Sequence, residues 1–174
     1  MGGKKISIPL LYGLIAAGAE ILFILVTYWA GAKAFVGGVA FLGYVIVIGF
    51  AAAAVMVQRR SNGGFIAFGD AVKTCFIVFV LGLAMRVLFP WLLVNYLDPH
   101  FKQLLIPEMA AQMETSYRRF GVPEDQIKEQ LAKLKGEPFP LWSMLTGLAW
   151  SYIVFFFISL LIAAIVKRKP GTKQ

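Results

Sequence analysis

Three things are scarce in this 174-residue chain, and each scarcity closes off a class of chemistry. There is one cysteine, Cys75, so neither an internal disulfide nor a multi-cysteine metal site can form. It lies inside an apolar run, where a thiol serves as a small core hydrophobe rather than a nucleophile. There is one histidine, His100, and although Asp98 and Glu108 are near it in sequence, no ligand pair has helix-face spacing. No metal and no cofactor are expected. Charge is the third scarcity: 15% of residues are charged and 59% are hydrophobic, a balance far too apolar for a soluble domain.

The charge that remains is lopsided, with 17 Lys and Arg against 9 Asp and Glu and a net of +8. A basic balance can signal nucleic acid. Here the bases flank apolar runs, where they set topology and meet anionic headgroups, so the bilayer is the expected partner and nucleic acid is not.

What the chain does have is long apolar runs. They predict an all-α membrane protein, a single membrane domain of four transmembrane helices at about 9–29, 36–57, 72–96 and 141–166, with a periplasmic helical hairpin between spans three and four at about 97–140. The first run is too long for the apolar region of a signal peptide and contains Glu20, so it reads as a retained span. Tyr28 and Trp29 close it with rings suited to a headgroup boundary. The short link Ala30 to Phe35 makes the first two spans antiparallel neighbours.

Between spans two and three, Arg59 and Arg60 are expected to stop the helix and Asn62-Gly63-Gly64 to turn the chain. Phe65, Ile66 and Phe68 suit the interface, and Asp70 is a candidate N-cap. No Walker or dinucleotide fingerprint is present, so Arg59, Arg60, Gly63 and Gly64 read first as a juxtamembrane loop. The second reading makes them a contact for a lipid phosphate or a partner. In the insert, Met109, Met113, Tyr117 and Phe120 share one helical face and Ile127, Leu131 and Leu134 another, with Gly121 at the turn and Gly136 after the second helix. That pattern predicts packing of the hairpin, or an extracytoplasmic contact surface for a partner.

Orientation follows from the bases. Lys4, Lys5, Arg59, Arg60, Lys73, Lys167, Arg168, Lys169 and Lys173 fall on one side, which makes both termini cytoplasmic. The bases of the insert are diluted by acids and lie in a folded segment.

Two charges lie inside apolar runs. Glu20 is roughly 17 Å along span one and Arg86 roughly 21 Å along span three, measured from parallel starts at 1.5 Å per residue, so they are nearly level. An unpaired charge at that depth costs on the order of 2.5–3.5 kcal/mol on insertion scales. Pairing is the cheapest resolution. Ala16 and Gly82, one turn before each, leave room for close approach, and Pro90 should bend the third span just beyond Arg86. The pair has a structural reading, a clasp between helices, and two functional ones: a phosphate contact and a proton path, the last with few polar stations to serve it.

Taken together, Tyr12-Gly13, Arg60 with Gly63-Gly64 leading to Phe68 and Ala71, Tyr96-Leu97-Asp98-Pro99, the Gly121 to Ile127 helix start and the basic tail resemble the bacterial membrane family known as domain of unknown function 4199. Ala67 departs from that pattern, which has serine there. The resemblance implies four spans in a Gram-negative inner membrane and no established activity. It also implies an accessory role, since members are often encoded near a polyprenyl-phosphate glycosyltransferase. The expected function is a non-catalytic membrane subunit that assembles with or stabilises a protein partner; the alternative is a lipid-linked carrier or transport component, binding a phospholipid or polyprenyl phosphate, that uses Glu20 and Arg86. A homo-oligomer is equally compatible with the small-residue faces, and no nucleophile–base constellation argues for an enzyme.

Overall fold

The computed structural model describes residues 6–136 and 140–167, and all regular structure there is helical. Lys4, Lys5, Arg168, Lys169 and Lys173 lie outside the described residues. Helix α1 runs Ile8–Trp29, with a proline in its first turn where the missing amide costs nothing. A short helix α2, Ala32–Val36, and a 3₁₀ turn, Gly38–Phe41, lead into α3, Leu42–Ser61. Helix α4 covers Phe68–Leu92 and continues as a π-helical turn, Leu93–Leu97. The insert is α5, Pro99–Arg119, and α6, Glu124–Gly136; α7, Leu141–Val166, closes the described fold.

Among the described residues, four helical stretches are long and apolar enough to cross a membrane: Ile8–Trp29, Gly38–Ser61, Phe68–Leu97 and Leu141–Val166. Helix α4 is the hub, packed against α1, α3 and α7. The core between them is built from small and branched side chains, including Ala16, Val47, Ala51, Ala54, Ala71, Val78, Phe79 and Leu83. Gly82 lets α4 approach closely, because a Cβ there would lie 2.8 Å from Val47 of α3 and 3.6 Å from Ala16 of α1. Cys75 is buried in this core, its thiol 3.9 Å from the Ala51 carbonyl.

Several boundaries differ from the sequence reading. Arg59 and Arg60 do not stop α3 but form its last turn, which ends at Ser61. The turn closes at Gly63 and Gly64, whose φ values of 73° and 92° suit glycine and return their amides to the Arg60 and Arg59 carbonyls. Asp70 is not the N-cap of α4. The helix begins at Phe68, Ala67 takes the extended cap position without a side-chain bond, and Asp70 lies in the first turn, facing the dipole instead. Ile66 is buried in the core rather than interfacial.

The link between the first two spans is not a bare loop but holds α2 and the 3₁₀ turn, and α2 packs on α5. Beneath the insert a second cluster joins Leu93, Val94, Phe101 and Leu105 to Tyr28, Phe35, Phe89 and Met109. Phe101 makes edge contacts with Tyr28 at 4.6 Å and Phe35 at 5.4 Å, which seats α5 on the bundle mouth. Helix α6 lies against α5, with Ile127 and Leu134 buried and Leu131 half-buried. Phe120 does not join the face of Met109, Met113 and Tyr117. Helix α5 ends at Arg119, Gly121 takes a φ of 70°, and the Phe120 ring is left 80% exposed. Gly136 is the last residue of α6 rather than the one after it.

Candidate functional site: a buried ion pair beside a cavity

Glu20 comes from the middle of α1 and Arg86 from the far half of α4, and the two helices pack along their length. Arg86 Nη1 donates to Glu20 Oε2 at 2.9 Å; the Glu20 side chain is 0% exposed and that of Arg86 is 12% exposed. Arg86 Nη2 donates to the Ala40 carbonyl in the 3₁₀ turn. The guanidinium also lies over the Tyr44 ring, 4.1 Å from its centroid. Three spans therefore converge on one planar group, which suits arginine's forked donors better than any lysine.

Gly43 makes the convergence possible. A Cβ at that position would overlap the guanidinium and sit 2.9 Å from Glu20 Oε2. The site extends to the fourth span through rings: Tyr44 stacks on Phe155 of α7 at 5.7 Å, and Phe155 meets Phe79 edge-on at 5.0 Å. Glu20 Oε1 is buried and has no hydrogen-bond partner among the described residues.

On the insert side of the pair lies a cavity of about 440 Å³. Its walls come from α1, α2, α3, α4 and α5, and Arg86 and Pro90 both line it. Helix α4 continues past Pro90 to Leu92 before the π turn, so the proline is absorbed inside the span.

A second clasp closes the mouth. The Tyr28 hydroxyl donates to Asp98 Oδ2 at 2.7 Å, and the Phe101 amide donates to Asp98 Oδ1 at 3.1 Å. The Tyr28 hydroxyl above all, and then the Phe101 amide, hold the Asp98 carboxyl below the usual carboxylate range. Asp98 is thus the cap of α5. The sequence reading passed over this contact. Its signal was there, since Tyr28 ends one span and Asp98 leaves the other at the same end of the bundle. Among the described residues no group of three or more His, Cys, Asp or Glu is placed to hold a metal ion.

Three hydroxyls of the fourth span bond back to their own helix, whereas the Tyr152 hydroxyl donates to the Val80 carbonyl of α4 at 3.1 Å. Thr146, Ser151 and Ser159 each donate to the carbonyl four residues back at 2.9 Å, so they form no chain towards the ion pair. Thr27 also bonds back on its own helix, donating to the carbonyl three residues back, that of Ile24, at 2.9 Å. At the opposite end of the bundle, Arg59 Nε donates to the Gly64 carbonyl at 3.1 Å, while Arg60 is exposed. With Met56 these residues line a hollow of about 190 Å³. The structure does not bring that hollow together with the Glu20–Arg86 site.

The family model described as "Protein of unknown function (DUF4199)" matches residues 11–168. The chain belongs to this family. No curated protein and no solved structure matches it. The DUF4199 match takes in both members of the ion pair, Ala40, Gly43, Tyr44, the Arg59 to Gly64 turn and the whole insert.

Proposed function

We propose that this DUF4199 protein is a non-catalytic subunit of the bacterial inner membrane that assembles with or stabilises a partner membrane protein. Its termini are cytoplasmic and the α5–α6 hairpin is periplasmic, because Arg59, Arg60, Lys73 and Lys167 gather at one end of the bundle. The observation that carries the reading is the free flank of α7. Trp150, Ile153, Val154, Phe157, Leu161 and Ile165 form one helical stripe, and each is half or more exposed. Meanwhile α1, α3 and α4 are locked to one another through Glu20, Arg86 and the 3₁₀ turn. A rigid three-helix block with a fourth helix laid against it, open along its outer side, suits a platform for a neighbouring span.

The test is photo-crosslinking in native membranes from Phe157, followed by gentle purification of the tagged chain in a neutral detergent. A discrete protein adduct that co-elutes in fixed stoichiometry supports the reading, and a polyprenyl-phosphate glycosyltransferase is the first partner to look for. A chain that elutes alone and gives no protein adduct from α7 removes it.

A further inference from the structure

The cavity beside Arg86 has the make-up of a ligand site that the clasp alone does not need. Its volume of about 440 Å³ lies within the range of small-molecule pockets. Phe23, Ile24, Val36, Val87 and Met109 give it apolar walls, and Arg86 is the one formally charged residue among those that line it. A guanidinium has five N–H donors. Glu20 and the Ala40 carbonyl take one each, which leaves three, and Arg86, 12% of whose side chain is exposed, lines the cavity.

Position matters as much as composition. Ala40 is the third residue of the Gly38–Ser61 span, so the group that Arg86 reaches lies towards the insert-side boundary rather than at the centre of the apolar layer. The cavity is roofed by α2 and by Met109 of α5 and runs inward along Val87 and Ile24. A molecule with a charged end and an apolar body fits that order of surfaces. The chain also contains a guanidinium shared by two carboxylates, since Arg118 holds Glu114 at 3.0 Å and Glu124 at 2.9 Å. An arginine already paired with one oxyanion can therefore take a second.

We propose that this cavity binds a single anionic amphiphile, its oxyanion head hydrogen-bonded to the free donors of Arg86 and its tail between α1, α4 and α5. The inference is independent of the partner proposed for α7, since the cavity lies on the side of the bundle that α7 does not line.

The full chain in dodecyl maltoside, titrated with dodecyl phosphate and read by native mass spectrometry, tests the proposal. The detergent supplies the same tail without the charge, and inorganic phosphate in a parallel titration supplies the charge without the tail. The expected result is saturable addition of one dodecyl phosphate per chain and none of inorganic phosphate at equal concentration. Val36→Trp, which fills the cavity without touching Glu20 or Arg86, should weaken binding about tenfold or more. Met109→Trp fills it from the insert and serves as the second variant should the first fail to fold. Arg86→Lys, which keeps the charge but loses the fork, should weaken binding while the detergent adduct is unchanged. No saturable addition, equal affinity in the cavity-filling variants, or inorganic phosphate binding as tightly as dodecyl phosphate would each overturn the assignment.

Discussion

Arg86 and Arg118 make the same bond in opposite surroundings. Each holds a glutamate at 2.9 Å, but the Arg86 side chain is 12% exposed against a fully buried partner, whereas Arg118 is 55% exposed and has two partners. Counting ion pairs would make Arg118 the stronger anchor. Burial reverses the order, because water competes for the Arg118 pairs and screens them, while removal of one partner of the Arg86 pair strands a desolvated charge. The comparison separates an ion pair that fixes which helices touch from one that decorates a surface.

The largest expected effect tests the first half of that contrast. Glu20→Gln and Arg86→Met should each cost about 3 kcal/mol in detergent unfolding, and the double replacement should recover much of the loss. If the double variant instead shows the sum of the two, the residues act separately and the contrast fails. Next in size is Gly43→Ala, where the added methyl displaces the guanidinium; a loss of about 1–3 kcal/mol is expected in the same measurement, against little change for Gly49→Ala, which meets no neighbour.

Asp98→Asn should act locally, at the seat of α5, and is best read by hydrogen exchange across Pro99–Leu105. Because Asp98 titrates lower in the fold than in the unfolded chain, its contribution is complete above the ordinary carboxylate pKa. That contribution is lost as pH falls from about 4 downwards. Wild-type α5 should therefore lose protection on acidification, and the asparagine variant should lack that step. The smallest effect belongs to Arg118→Ala: no resolvable shift in unfolding temperature, and none in its dependence on salt. A clear loss there would sharpen the comparison in the opposite direction, by showing that the α5–α6 turn depends on its charges.

The four spans were legible because hydropathy needs only composition, and Glu20 with Arg86 was legible because they are the acid and the base isolated within apolar runs. The rest of the site was not. Ala40 enters through its carbonyl, which every residue has, and Gly43 through the absence of a side chain, so neither position stands out among a chain rich in alanine and glycine. Asp70 looked like a cap because aspartate favours that role, but the extended backbone at Ala67 starts the helix earlier and leaves Asp70 within its first turn. In the insert, periodicity placed Phe120 on the packed face, whereas the left-handed Gly121 ends α5 before that register is reached. Ile127 and Leu134, for which packing was the first expectation and a partner contact the alternative, are covered within the fold.

The bond from Arg86 to the Ala40 carbonyl makes an anchor that a side-chain scan will pass over. Replacing Ala40 by most other residues leaves its carbonyl where it is, so the position will look tolerant. Its sensitivity is to spacing instead. Removing or adding one residue between Gly31 and Gly37 turns the following 3₁₀ turn by about a third of a revolution and carries that oxygen away from the guanidinium. The length of this link, more than its spelling, is therefore what the buried arginine holds constant.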